Sequence, residues 1–214
     1  HALANGKKRI IIAIPYTSII TQTAEVLRGI FGANNVVEHH SAVNFKDEES
    51  YNSDYPLKLA TENWDSPIVI TTNVQLFESM YASRPSKCRK LHNLCNSVLI
   101  LDEVQALPIG HLQPIIDALK AYHEYFGMSV LFTTASMPAL KGKYCGIAGR
   151  ANLDGIDNIT EIVPDSFQLH DHLRRADIRF DTESSTYDSI AERLLEHPRV
   201  LCIVNTRQDA HEIF

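Results

Sequence analysis

Apolar and polar positions along this chain fall into two alternating periods. Residues 8–14 form a β-rich apolar run, and residues 18–31 then place Ile19, Thr23, Val26, Leu27 and Ile30 on one helical face. Residues 36–38 predict a short strand, and residues 54–64 a helix in whose first turn Pro56 is tolerable. Residues 68–71 predict a strand, followed by a helix over 73–81 with Thr72 or Asn73 as its cap. The run 98–101 predicts a buried strand, 112–126 a helix and 129–133 another strand. Strands alternating with helices predict βαβ units, and hence a parallel sheet with helices on both faces and right-handed crossovers.

The pattern weakens over 141–177, where Gly142, Gly146, Gly149, Gly155 and Pro164 separate short apolar stretches. Alternation resumes with a strand over 178–180, a helix over 185–196, a strand over 200–204 and a helix from Gln208. The expected organisation is a first α/β domain over 1–140, an irregular connection over 141–176 and a second unit over 177–214. Fewer than forty residues are too few for that second unit to be a complete independent domain.

Composition narrows the class. A chain of 214 residues with 44% hydrophobic content can bury a sizeable core. A formal net charge of −6 argues against a basic nucleic-acid coat, though a local groove can still bind, because the local potential decides. Cys88, Cys95, Cys145 and Cys202 lie far apart without a Cys-x-x-Cys pair, which predicts scattered, reduced and mostly buried thiols. No apolar run approaches bilayer length and no signal peptide opens the chain, so a soluble cytoplasmic protein without a membrane partner is expected.

The most informative chemistry is Asp102-Glu103-Val104-Gln105, directly after the apolar run 98–101. A buried parallel strand delivers its next residues to the carboxyl edge of the sheet, where open α/β folds bind ligands. Two adjacent carboxylates there would cost several kcal/mol to desolvate unless a cation neutralised them. Hydrated Mg²⁺, which takes one or two carboxylates plus phosphate oxygens, is the natural occupant. A solvated acidic turn is the alternative reading. A Gly-x-x-x-x-Gly-Lys-Ser/Thr phosphate loop is missing: Gly6-Lys7 and Gly142-Lys143 lack the upstream glycine and are followed by Lys8 and Tyr144 where Ser or Thr is needed. Both ends of the chain therefore look cut, with the phosphate loop expected just before His1.

Four further short elements fall at the ends of predicted strands in the first unit, and one in the second. They are Pro15-Tyr16-Thr17-Ser18, Glu38-His39-His40-Ser41, Thr71-Thr72-Asn73-Val74-Gln75, Thr133-Thr134-Ala135-Ser136-Met137-Pro138 and Val204-Asn205-Thr206-Arg207. In this order and spacing the set resembles the superfamily 2 helicase core, and its wording is similar to the helicase portion of the CRISPR-associated helicase–nuclease of type I systems.

The resemblance implies a RecA-like first domain lacking its first strand and phosphate loop, followed by the start of a second RecA-like domain. It implies an ATP-dependent helicase or translocase that hydrolyses ATP with Mg²⁺ to move on single-stranded DNA, recruited by an RNA-guided surveillance complex. By position, Asp102 matches the acid that holds Mg²⁺ through water, and Glu103 the residue that orients the hydrolytic water and takes its proton. Gln105 matches the residue coupling the nucleotide site to neighbouring motifs. Thr134, Ala135 and Ser136 resemble the motif that links hydrolysis to domain movement. Pro15, Tyr16, Thr17, His39, His40, Ser41, Thr71, Thr72, Asn73 and Gln75 resemble the nucleic-acid contacts of the first domain, and Asn205 and Thr206 those of the second.

Elementary chemistry is compatible with these roles, since hydroxyls and free amides at helix starts are good partners for phosphate oxygens. Helix capping is the plainer role for Thr17, Thr72, His39 and His40. Trp64, Phe77 and Tyr81 read as core rather than as stacking platforms. His170-Asp171-His172 resembles the His-Asp doublet of metal phosphohydrolases but lacks converging ligands. The basic cluster Lys87, Arg89 and Lys90 reads as a solvated loop or a phosphate contact. Three alternatives stay open: an RNA helicase or restriction-type translocase, a non-catalytic nucleic-acid-binding module, and a metal phosphohydrolase.

Overall fold

Five apolar runs of the first unit become strands of one all-parallel sheet. In a computed structural model, which describes residues 1–40, 55–135, 140–144, 153–163, 173–182 and 184–214, they are β1 (Arg9–Ile14), β2 (Val36–His39), β3 (Ile68–Thr72), β4 (Ser97–Leu101) and β5 (Ser129–Phe132). Their order across the sheet is β2-β3-β1-β4-β5, every pair parallel. The helices are α1 (Thr17–Phe31), α2 (Tyr55–Asn63), α3 (Asn73–Met80), the short α4 (Pro85–Cys88) and α5 (Leu112–Phe126). The expected α/β fold with helices on both faces is what the chain adopts.

The strand order dictates which face each helix covers. From β1 the chain moves outward to β2, and from there every later step runs the opposite way across the sheet. Right-handed crossovers travelling in opposite directions put their helices on opposite faces. Accordingly α1 packs Ile20 and Ala24 against Ile14, Val36, Ile68 and Ile70 on one face. On the other, Leu76 of α3 and Ile115, Ile116 and Leu119 of α5 meet Ile11, Ala13, Val69, Leu99 and Leu101. Both faces of β1 and β3 are thus apolar, which is why their sequences run without polar alternation. In β4 only Ser97, Leu99 and Leu101 are buried; Val98 and Ile100, on the α1 side, are half-exposed.

Two compact units are present, residues His1–Thr160 and Glu161–Phe214. The first includes part of the stretch expected to be irregular. Lys143–Tyr144 (β6) and Leu153–Asp154 (β7) pair antiparallel, Leu140 is buried, and Leu153, Ile156 and Ile159 pack on the α5 side of the core. Periodicity could not reveal strands of two residues. The second unit contains α6 (Tyr187–Leu195) and α7 (Arg207–Ile213), joined by a 2.8 Å hydrogen bond from the Tyr187 hydroxyl to Asp209. The strands expected over 178–180 and 200–204 are not formed; neither segment has a ladder partner among the described residues, and Phe180 and Ile203 are exposed. A strand is a property of a pair, and apolar patterning alone supplies only one member of it.

Among the described residues, no helix is long and apolar enough to cross a membrane. Cys88 and Cys95 are half-buried free thiols and Cys202 is an exposed one, so none of the three is fully buried.

Candidate functional site

The topology singles out one crevice. Strands β1 and β4 are neighbours, yet the chain leaves them toward opposite edges of the sheet. Such a switch point opens a cleft outside the carboxyl ends of the two strands. The residues that emerge there are Pro15 and Tyr16 from β1 and Asp102 and Glu103 from β4, and the Asp102 N–H donates to the Ala13 carbonyl at 2.9 Å.

The acidic turn is tightly built. Asp102 is half-buried, and the Thr133 hydroxyl donates to its Oδ1 at 2.5 Å. Glu103 is half-buried in the left-handed region, at φ 50° and ψ 52°. A non-glycine residue held there costs about 1–3 kcal/mol and persists where its surroundings fix it. Those surroundings are the next hydrogen bonds: Val104 N–H to the Thr133 carbonyl at 3.3 Å, and Ala106 N–H to the Glu103 carbonyl at 2.8 Å. Thr134 donates to the Gln105 side-chain oxygen, and the Gln105 amide donates to Glu103. A chain of side chains thus runs from the end of β5 to the second carboxylate. Among the described residues neither Asp102 nor Glu103 forms a salt bridge, so these are the two carboxylates available to a cation at this edge. Ala135 is exposed beside them, and Ser136 lies outside the described residues.

Thr133 opens one of the strand-end elements of the sequence, but nothing in the sequence gives it a partner or a role. Leu101 pairs with Phe132, so the next positions along the ladder set Asp102 opposite Thr133. Only the β4–β5 register carries that information.

The remaining residues at the carboxyl edge divide by accessibility. Tyr16 is exposed and occupies the N-cap position of α1 without a side-chain cap, and Thr17 is the exposed first residue of that helix. Thr17 is therefore not the cap. Pro15 is half-buried. Thr72 is the cap of α3, its hydroxyl accepting the Gln75 N–H at 3.0 Å. Thr72→Ala is expected to lower the unfolding free energy by about 1 kcal/mol in urea titration; an unchanged midpoint would remove the capping role. Asn73 is buried, and the Gln75 amide contacts Ser79 at 3.4 Å. Thr71 is wholly buried and donates to the His39 carbonyl at 2.8 Å, so its hydroxyl ties β3 to β2.

His39 belongs to an internal cluster. The Trp64 indole N–H donates to His39 Nδ1 at 2.8 Å, which leaves the imidazole proton on Nε2. Trp64 is fully buried, as its core role requires, and the buried Lys90 ammonium sits 5.3 Å from its ring centre. Burial, with the nearby Lys90 charge and His40 adding to it, lowers the His39 pKa to about 4. His40 is buried with Nε2 3.9 Å from Glu38, and Ser41 lies outside the described residues.

The other sequence candidates resolve simply. Lys87 pairs with Glu78 at 2.9 Å and Arg89 with Glu62 at 3.1 Å, so with Lys90 buried the basic cluster is already occupied by protein partners. Phe77 packs against the core; Tyr81 is exposed, and its hydroxyl donates to the Pro114 carbonyl. His170, Asp171 and His172 lie outside the described residues. Among the described residues no cluster of three or more His, Cys, Asp or Glu could hold a metal. In the second unit Asn205 is exposed, and Thr206 caps α7 in a reciprocal box with Asp209.

With that geometry in view, comparison with known proteins adds one relationship. The CRISPR-associated nuclease/helicase Cas3 of Haloferax volcanii is 31% identical over 146 residues, covering 61% of this chain. The similarity supports a Cas3-related origin for the aligned region. The chain spans 16% of that protein's length. No protein-family model matches the chain.

Proposed function

We propose that this chain is part of the motor of an ATP-dependent CRISPR-associated helicase that moves on single-stranded DNA. The observation that carries the reading is the acidic pair at the β1/β4 switch point, with the Pro15, Thr72 and Thr134 motifs at neighbouring strand ends of the same sheet edge. The relative is named both nuclease and helicase, and it is the acidic pair at a switch point of a parallel sheet that favours a motor over a phosphohydrolase here.

Two adjacent, half-buried carboxylates without a basic partner among the described residues are a donor set that fits one hydrated Mg²⁺ shared with nucleotide phosphates. Asp102 would hold the cation through water. When bound, that ion neutralises charge on the phosphates being separated. Glu103 would orient the attacking water and accept its proton, in the geometry fixed by Gln105 and Thr134. Exposed Tyr16 and Thr17, at the uncapped start of α1, would meet the DNA backbone, whose phosphates suit free helix amides. Thr71 and His39 would act from inside, by holding β2 against β3. Recruitment by an RNA-guided surveillance complex belongs to the same reading of the intact protein.

Phosphoryl transfer depends on positioning and electrostatics. This chain has no phosphate-cradling glycine loop, and alone it is expected to show no DNA-stimulated ATP hydrolysis above background. Phosphate-release assays with single-stranded DNA and with RNA test this. Robust turnover by the isolated chain would overturn the placement of the nucleotide site, and stimulation of the intact motor by RNA alone would change the substrate.

A further inference from the structure

We propose that Thr133 is a positioning residue: its hydroxyl fixes the Asp102 carboxylate so that the second oxygen is held ready for a hydrated divalent cation. The inference rests on the reading of the acidic turn as a cation site, and it goes beyond that reading by giving a role to a residue outside the 102–105 turn.

The backbone makes the contact unavoidable. Thr133 N–H donates to the Leu101 carbonyl at 2.9 Å, and the Thr133 carbonyl accepts from Val104 N–H at 3.3 Å. Asp102 is tied on its other side to Ala13 of β1. Thr133 is therefore bonded to the residues on both sides of Asp102, and the β4–β5 ladder sets where its hydroxyl can reach. A hydroxyl donating to a carboxylate at 2.5 Å is of the short, charge-assisted kind.

The bond has a consequence for the free oxygen. An aspartate carboxylate turns about two side-chain torsions, and a single bond to a donor anchored in the sheet selects one setting. Oδ1 is used in this way, while Oδ2 has no protein partner among the described residues. Valine would fill the same volume and suit a strand end better. The hydroxyl's other contact, to the Leu101 carbonyl, is long at 3.5 Å. Holding Asp102 is thus what the hydroxyl accomplishes. Glu103 is held separately, through Gln105 and Thr134, so consecutive hydroxyls at the end of β5 serve the two acids one each.

The test uses this chain with Mn²⁺ alone as the probe, free metal being counted by electron paramagnetic resonance. Paramagnetic broadening of the Asp102 and Glu103 amide signals locates the bound ion. Loss of an outer-shell partner typically weakens metal binding about tenfold, so Thr133→Val is expected to bind about tenfold more weakly and Thr133→Ser within about twofold of the parent. Side-chain couplings of Asp102 are expected to report one rotamer in the parent and in Thr133→Ser, and averaging in Thr133→Val. Thr133→Ala replaces the valine variant should that one not fold. Parent-like Mn²⁺ affinity with a single Asp102 rotamer in the hydroxyl-free variant would overturn the proposal. Absence of broadening at Asp102 and Glu103 in the parent would instead overturn the cation-site reading, and the rotamer comparison would still decide whether Thr133 positions Asp102.

Discussion

In a longer protein that carries this chain together with a phosphate-binding loop, Glu103→Gln is expected to lower ATP turnover by about 10²–10⁴-fold. ATP affinity should stay close to that of the parent. The substitution is nearly isosteric, and its amide oxygen can still accept the hydrogen bond that Gln105 donates to Glu103. The left-handed turn at residue 103 is fixed by backbone bonds that the change does not touch. What disappears is the ability to take a proton from water. Steady-state hydrolysis and equilibrium binding of a fluorescent ATP analogue separate the two effects. Near-parental turnover would remove Glu103 from its role, whereas loss of nucleotide binding would recast it as a structural residue.

Acidification supplies the second large effect. His39 is held neutral in the folded chain, with its pKa lowered to about 4 by burial first and by Lys90 and His40 after it. In the unfolded chain it titrates at the ordinary value near 6.5. Between those pH values the unfolded state binds more protons, so stability falls as pH drops from about 6.5 to about 4 and the loss is complete below the folded value. A full shift of this size corresponds to about 3 kcal/mol, and partial exposure of the ring brings the expected loss nearer 2 kcal/mol. Protonating Nδ1 also removes the acceptor for the Trp64 indole. His39→Asn places an amide oxygen close to Nδ1 and cannot titrate. Urea unfolding of parent and variant across pH 4 to pH 7 should show the variant less acid-sensitive by that amount, while carboxylate titration, common to both, cancels. Parallel stability curves would exclude His39 as the source.

How much was legible from sequence follows from which interactions are local. The helix over 112–126 carries its own period, and β1, β3 and β4 show as continuous apolar runs. The Thr72 cap needs only its neighbour three residues on. The acidic turn was legible for the same reason, as charge directly after a buried strand. The boundary of the first unit was less so: the β6–β7 pair and buried Leu140 carry it to Thr160, through contacts that no local pattern encodes. The apolar run 200–204 marked a strand by composition, yet it found no ladder partner among the described residues.

By itself the sequence determined the parallel α/β class, the order of the elements that build the five-stranded sheet and the acidic pair at its carboxyl edge, because these follow from hydrophobic period and residue type. Only the tertiary structure decided the strand order that opens a crevice between β1 and β4, the ladder register that brings Thr133 to Asp102, and the inward turn of His39 onto Trp64. Each joins residues about 25 or more positions apart. Contacts over that separation are fixed by packing and hydrogen-bond geometry in three dimensions.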